Sequence, residues 1–239
     1  MPRQQRHFDL VPGQTLGRNY FIVEFLGSGW EGEVYKVEER RTHIPRAAKV
    51  FYPSRQFKDR QMRRYAQKLY RLRRCSIVTQ YLHRDIARVG REQVEILVSD
   101  LFEGEPLSTF LGQQPKKRLK TFEALHLFHA LVQGIEEIHV LREYHGDIHL
   151  DNVLVQRRGL GFEVSLIDFF DFGRATAAQI QGDVYDLIGI LYELIGGARG
   201  YAVALPSVRQ IILGRKRSLI RRKFRNAGDL RLALENLSW

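Results

Sequence analysis

The chain has 239 residues, of which 44% are hydrophobic and 27% charged, a balance that excludes a disordered or fibrous protein and fits one or two globular domains. Its one cysteine, Cys75, excludes a disulfide framework and points to a reducing compartment, and a core of this size needs neither disulfides nor metals to fold. The net charge of +11 directs attention to anionic partners.

That charge is concentrated. Between Arg55 and Arg74 the basic residues are Arg55, Lys58, Arg60, Arg63, Arg64, Lys68, Arg71, Arg73 and Arg74, against one acid, Asp59. A second cluster holds Arg215, Lys216, Arg217, Arg221, Arg222, Lys223 and Arg225. Each suits an acidic protein, a lipid surface or nucleic acid, and each equally suits a solvated helix face. No zinc-ligand spacing or RNA-binding signature accompanies them, which disfavours nucleic acid. The opening MPRQQRHFDLVPGQ has no apolar core, and the longest apolar run, Asp186–Ile195, carries Asp186 and Glu193 and is too short to span a bilayer. The expectation is a soluble, cytoplasmic protein without a membrane span.

In chain order, residues 20–51 alternate as strands do: YFIVEFLG, EVYKVEE and RAAKVFY, with Gly27, Gly29 and Gly32 in the hairpin loop between the first two. Residues 54–73 predict a helix, with Phe57, Met62, Tyr65, Leu69 and Leu72 at helical spacing. Strands follow near Ile86–Val89 and Val94–Val98. Thr121 is placed to cap a helix running to about Arg142, with Leu125, Phe128, Leu131, Val132, Ile135 and Ile138 on one face and Glu123 in the first turn. Next come the loop HGDIHLDN, a short hairpin (VLV, then VSLI), and helical patterns around 183–195, 207–213 and 228–237. No repeat or low-complexity tract interrupts the chain. Strands dominate the first part and helices the second, which divides it near Ser99–Glu105 into 1–103 and 104–239.

Four pieces carry chemistry. Glycines at 27, 29 and 32 let backbone N–H groups approach phosphates, here between two strands rather than between a strand and a helix. Lys49 lies in an apolar strand, where it needs an anion or an exposed edge. In HGDIHLDN, Asp147 can accept a hydroxyl proton and Asn152 can offer an oxygen to a metal. Asp168 follows the strand VSLI, where a carboxylate holds a metal or merely caps a turn. Each piece alone has an ordinary structural explanation; their order carries the weight.

Glycine loop, strand lysine, Asp-x4-Asn loop and strand-end aspartate follow one another as in protein kinases. From about Gly13 onward the sequence resembles the protein kinase-like superfamily. YFIVEFLGSGWEGEVYKVE is similar to the opening strands of a bacterial Ser/Thr kinase. LVSDLFEGEPLSTFL resembles the hinge, DVYDLIGILYEL the buried large-lobe helix whose aspartate braces the catalytic loop, and KFRNAGDLRLALENL the final helix.

The resemblance implies an α+β, two-lobed kinase-like fold, with a small β-rich N-lobe and a mainly helical C-lobe. It implies ATP and Mg²⁺, or Mn²⁺, as cofactors and a hydroxyl acceptor, a protein being favoured. Gly27, Ser28, Gly29 and Gly32 would cover the phosphates and Lys49 would bind the α/β-phosphates. Val34, Ala47 and Leu154 would also belong to the ATP site, with Ser99 as gatekeeper and the backbones of Asp100 and Phe102 facing adenine. Asp147 would orient or deprotonate the acceptor, and Asn152 and Asp168 would hold Mg²⁺. Asp171, in the literal Asp-Phe-Gly of DFFDFG, competes with Asp168; Asp168 is preferred because it directly follows VSLI and stands nearer Asn152.

The sequence departs from the protein-kinase pattern in three places. Gly146 replaces the arginine that receives an activation-loop phosphate, and HGDIHLDN, including His149, resembles aminoglycoside and choline-type phosphotransferases. The stretch from Asp168 to Asp183 is too short for an ordinary activation loop. The helix at 54–73 has no glutamate for Lys49; Tyr65 stands near that place, which leaves Glu31, Glu33 or the nucleotide itself as partner. Trp30 within the glycine loop reads as a lid over the phosphates or a hydrophobic anchor for the loop, the anchor being preferred. Three functions remain open: a Ser/Thr protein kinase, a small-molecule kinase, and a pseudokinase that binds nucleotide or engages an acidic partner through the basic 55–74 helix.

Overall fold

The structure, a computed structural model, describes residues 7–53, 59–169, 173 and 175–237; for residues 59–62 it describes the helical backbone alone. Asp171 and the predicted helix residues Arg55, Phe57 and Lys58 lie outside the described residues. The chain divides into two compact units, Met1–Arg73 with Thr79–Phe102, and Arg74–Val78 with Glu103–Trp239.

The first unit is built on β1 (Thr15–Leu16), β2 (Tyr20–Ser28), β3 (Gly32–Glu39), β4 (Pro45–Phe51), helix α1 (Asp59–Arg71), β5 (Tyr81–Val89) and β6 (Glu92–Asp100). Its strands form one antiparallel sheet in the order β1-β2-β3-β4-β6-β5. The alternation legible in the sequence is the alternation of faces. Tyr20 and Ile22, Tyr35 and Val37, Ala48 and Val50, and Val94, Ile96 and Val98 point to one side and form its core. The last two strands are longer than predicted: Gly90, at φ +60°, permits the tight turn that joins them, and pairing continues from Val89–Glu92 out to Tyr81–Ser99.

The second unit contains β7 (Glu105–Pro106), α2 (Leu107–Gln113), α3 (Thr121–Val140), β8 (Val153–Arg158), β9 (Gly161–Leu166), α4 (Ala177–Leu194), α5 (Gly197–Ala202), α6 (Pro206–Ile212), α7 (Arg217–Lys223) and α8 (Ala227–Glu235). Helix α3 packs against α4, α8 and β9. It buries the predicted stripe and also Ala124, Leu127, Gly134 and His139, so it is a central helix rather than a surface one. The chain is thus β-rich first and helical second, as its hydrophobic periodicity indicates. The short helices α2, α5 and α7 have too few turns to show a period.

Residues 74–78 belong to the second unit for a visible reason. Ile77 O accepts Leu166 N–H at 2.7 Å, and Ile77 packs so closely on Gly134 that an added Cβ there would lie 2.5 Å from it. One capping expectation is corrected. Thr121 is the first helical residue of α3, and the N-cap is Lys120, with no side-chain cap; the side-chain capping box belongs to α4, between Thr176 and Gln179.

The glycines of the β2–β3 hairpin differ in purpose. A Cβ on Gly32 would stand 2.1 Å from the carbonyl oxygen of Val50 on β4, whereas one on Gly29 would meet nothing within 4 Å. Gly32→Ala must push β3 from β4, and a loss of about 1–3 kcal/mol is expected. Gly29→Ala should stay within about 0.5 kcal/mol of wild type. Urea unfolding of the two variants beside the wild type checks this; equal losses would refute the assignment.

Candidate active site

The face of the first sheet opposite its core collects the residues predicted to meet a nucleotide. Register pairs Gly27 with Val34, Val34 with Lys49, and Lys49 with Leu97, so these form a row across four strands. Ala47 pairs with Ser99 in the next row. Paired residues in an antiparallel sheet share a face, so Gly27, Val34, Ala47, Lys49 and Ser99 stand together. Ser28 and Gly29 continue the hairpin, where space beside the backbone is open. At the end of β6, Asp100 donates its N–H to Gln80 O at 2.9 Å and accepts from Arg46 through its carboxylate. Its carbonyl is therefore the backbone group it can offer a base; Phe102 follows, half-buried, in the connection after β6.

Lys49 finds its acid in the hairpin turn. Its Nζ donates to Glu31 at 2.5 Å, in a pair that is largely shielded from water. Glu33 is the wrong candidate because it points to the core face with Tyr35. There it is buried and accepts from His7 Nδ1 (2.7 Å), Phe8 N (3.1 Å) and the hydroxyls of Tyr52 (3.1 Å) and Tyr35. Burial and the neighbouring carboxylate push Tyr52 up to about 12, which keeps its hydroxyl a donor. Trp30 is 66% exposed at the hairpin tip, which removes it as a hydrophobic anchor. In the basic helix Arg63, Arg64 and Arg71 are exposed, but Lys68 is fully buried and belongs to the packing.

In the second unit the loop after α3 is organised by one buried carboxylate. Asp183, with no exposed surface, accepts the N–H groups of His145 at 2.7 Å and Gly146 at 2.8 Å, and His139 Nε2 lies 3.2 Å away. His139 Nδ1 accepts from Ala227 N, so its proton sits on Nε2 and is donated to Asp183. Gly146 has φ +90°, where a side chain would be strained. This is a conformational reason for the glycine, separate from the absence of an arginine role.

His145 then fastens two segments together. Its Nδ1 accepts from Asp147 N at 3.2 Å, and its Nε2 donates to Ile167 O at 3.0 Å, which fixes a neutral ring. The ring lies 4.5 Å from that of Phe169. Val153 pairs with Leu166, so Asn152 and Asp168 flank the same end of the β8–β9 hairpin, and Ile167 N donates to Asn152 O at 3.1 Å. Asn152 donates its amide N–H to Asp147 O (3.0 Å) and Oδ2 (3.3 Å), which directs the acceptor oxygen Oδ1 away from Asp147. Asp168 holds a left-handed backbone, φ +58°, a conformation that aspartate tolerates better than most residues and that collects at functional sites. Leu154 is half-buried on β8. His149 Nε2 stands 3.5 Å from Asp147 Oδ2, beside the candidate base.

These oxygens fit a hard cation. One amide oxygen and one carboxylate are what Mg²⁺ takes from a protein when phosphates supply the rest. Among the described residues there is no cluster of three or more His, Cys, Asp or Glu side chains that would build a self-contained metal cage.

Sequence inspection assigned no part to His139, His145 or Asp186. His139 had one signal, a histidine on the buried side of an apolar helix. Asp186, one turn after Asp183 on α4, is pushed up to about 6, first by burial, then by the like charges of Asp183 and Asp147, against the pull of Arg217 and Arg215.

Residues 20–196 match the protein kinase domain family, and the chain belongs to that family of phosphotransferases. It is similar to calcium-dependent protein kinase 4 of Plasmodium berghei, 25% identical over 184 residues, which are 75% of this chain and 33% of that protein. It is also similar to the negative regulator of sexual conjugation and meiosis of Schizosaccharomyces pombe, 26% identical over 179 residues, 73% of this chain and 36% of that protein. The chain therefore spans about a third of the length of these curated relatives. Among solved structures, the PknI kinase domain of Mycobacterium tuberculosis superposes with a TM-score of 0.66 at 17% identity, covering 95% of this chain and 98% of that one. At that identity the likeness establishes the fold.

Asp186 sets a pH dependence of stability. Its carboxyl holds a proton more tightly folded than unfolded, so wild type loses stability as pH rises from about 4 to about 6 and is level above. Asp186→Asn removes that slope. Below pH 4 the two should be alike; at pH 7–8 the variant should be more stable by about 1–2 kcal/mol, the full shift being discounted for solvent screening. Thermal unfolding across pH checks this, and a variant less stable than wild type at pH 8 would refute it.

Proposed function

We propose that the protein is an ATP- and Mg²⁺-dependent kinase that transfers the γ-phosphate to a hydroxyl, with Ser or Thr of a protein as acceptor. One observation carries the proposal: Asp147, Asn152 and Asp168 are tied to one another through the neutral His145 ring, the Asn152 amide and the Asp183 brace. A structural loop has no need of an acid, an amide and a second acid held in this order.

In this mechanism Asp147 orients the acceptor hydroxyl and receives its proton, its position fixed by Asn152 and by the His145 link to Asp147 N. His145 is neutral and committed at both nitrogens, so it positions and does not shuttle protons. Lys49, oriented by Glu31, binds the α/β-phosphates, and the hairpin backbone of Gly27, Ser28 and Gly29, closed by the Gly29 N–H bond to Gly32 O at 2.9 Å, covers them without side-chain obstruction. Val34, Ala47 and Leu154 supply apolar contact to adenine, and Ser99, Asp100 and Phe102 frame its edge. Asn152 and Asp168 hold Mg²⁺, which neutralises phosphate charge when bound. Most of the rate enhancement is positioning and charge.

The Glu31–Lys49 pair bears against the pseudokinase alternative, because it answers the missing helix glutamate from within the hairpin. A small-molecule acceptor remains the second reading. It draws on the His-Gly-Asp loop, on His149 beside Asp147, and on the short length of sequence between the end of β9 at Leu166 and the start of α4 at Ala177. Among the described residues no helix is long and apolar enough to cross a membrane.

Incubation with γ-labelled ATP and Mg²⁺ or Mn²⁺ in a cell extract should label protein. Label confined to a metabolite would select the second reading. Asp147→Asn should lower transfer by about 10²–10⁴-fold with ATP affinity unchanged, and equal turnover would remove Asp147 from the mechanism. Glu31→Gln should lower kcat/KM for ATP by about tenfold, the loss of one charge-assisted bond; an unchanged value would show that Lys49 needs no acid from the hairpin.

A further inference from the structure

The same helix that braces the catalytic loop carries a second set of groups. Tyr185, Gly189 and Tyr192 recur at helical spacing along α4 and form a strip beside Asp186. Two guanidinium groups lie on that strip. Arg217 stands 4.3 Å over the Tyr185 ring, and Arg215 stands 5.6 Å from Tyr185 and 5.5 Å from Tyr192. Arg215 also lies against Gly189, whose position would put a Cβ in ordinary contact, 3.5 Å, with its Nη2. Both arginines remain exposed, and among the described residues neither forms an ion pair, with Asp186 or with any other acid.

We propose that Arg215 and Arg217 form the acceptor subsite of the transfer reaction, and that the acceptor is an acidic protein segment, a Ser or Thr flanked by Asp or Glu. The proposal rests on the kinase function above and names its substrate class. A guanidinium laid on an aromatic face keeps its N–H edge outward, which is the geometry that takes a carboxylate in a bidentate pair. Stacking also holds the side chain in place before binding and so reduces the ordering cost.

Position relates the pair to the chemistry. Asp183, one turn before Asp186, holds Gly146 next to Asp147. The Asp186 carboxyl feels the charges of Asp147 and of both arginines. The basic surface then continues through Lys216, Arg221, Arg222, Lys223 and Arg225, with no acid between Leu213 and Asn226. Helix α7 alone is about 10 Å long. Such a strip matches an extended segment with several acids better than it matches a compact metabolite with one.

The test uses the full chain and three Ser/Thr peptide sets that differ only in flanking residues: acidic, neutral and basic. Wild type should phosphorylate the acidic set with a kcat/KM about tenfold or more above the basic set, and the advantage should shrink steeply as salt rises. Arg217→Glu and the double variant Arg215→Ala/Arg217→Ala should lose most of that preference through KM for the peptide, and Arg217→Glu should favour the basic set. Thermal unfolding and the KM for ATP report whether the variants fold. Anisotropy of a labelled acidic peptide, measured with ADP present, reads the subsite without requiring transfer. Peptide binding weakened by roughly three- to tenfold per arginine supports the subsite even where no phosphate moves, which would count against the kinase function alone. Binding or preference that is the same in wild type and both variants overturns it, as does transfer confined to small hydroxy acids.

Discussion

One buried carboxylate organises the second unit of this protein. Asp183 has no contact with water, and an unsatisfied charge there would cost several kcal/mol. It is satisfied by two backbone N–H groups and one imidazole, all from the loop after α3 or from α3 itself. That demand dictates the loop. The backbone must turn both N–H groups inward at His145 and Gly146, and Gly146 takes a positive φ to do so. The His145 ring is then directed to Ile167 O, which joins Asp147 to the strand end that carries Asp168. His139 in turn depends on Ala227 at the start of α8 for its tautomer. Residues far apart in the chain thus serve the geometry of a single aspartate.

In the first unit the organising constraint is the two-faced sheet. Its core face takes the aromatic and branched residues together with Glu33, which four donors hold in place. Its other face takes Gly27, Val34, Ala47, Lys49 and Ser99 through register alone. A shift of one residue would send Lys49 into the core and Ala48 out of it. Gly32 protects that register, since its missing Cβ is what lets β3 lie against Val50. Glu31 and Glu33 are two residues apart, yet one pairs with Lys49 and the other with tyrosines and a histidine. The difference lies in position, Glu31 in the turn and Glu33 on the core face of β3.

Much of the fold was legible because periodicity is a local property. The strands of 20–51, the long helix from Thr121 and the closing helix 228–237 follow from residues a few positions apart. The same holds for the candidate chemistry, because HGDIHLDN and the strand-end Asp168 are short contiguous pieces. Illegible were features that need a distant partner: the cap of α3, the exposure of Trp30, the burial of Lys68, and the duties of His139, His145 and Asp186. Thr121 has the right side chain to cap a helix, but the backbone enters α3 one residue earlier, at Lys120. Trp30 reads as an anchor from its hydrophobicity, yet at the hairpin tip most of its surface stays exposed.

The sequence by itself determined the class of fold, the order of its elements and the chemical inventory of the site, since alternation, helical spacing and residue type are written along the chain. Only the tertiary structure decided which acid meets Lys49, why position 146 is glycine, and how Asp147, Asn152 and Asp168 are joined. Those answers depend on hydrogen bonds between segments separated by tens of residues. Their formation is set by the need to satisfy each buried polar group, and no local pattern records which distant group will do so.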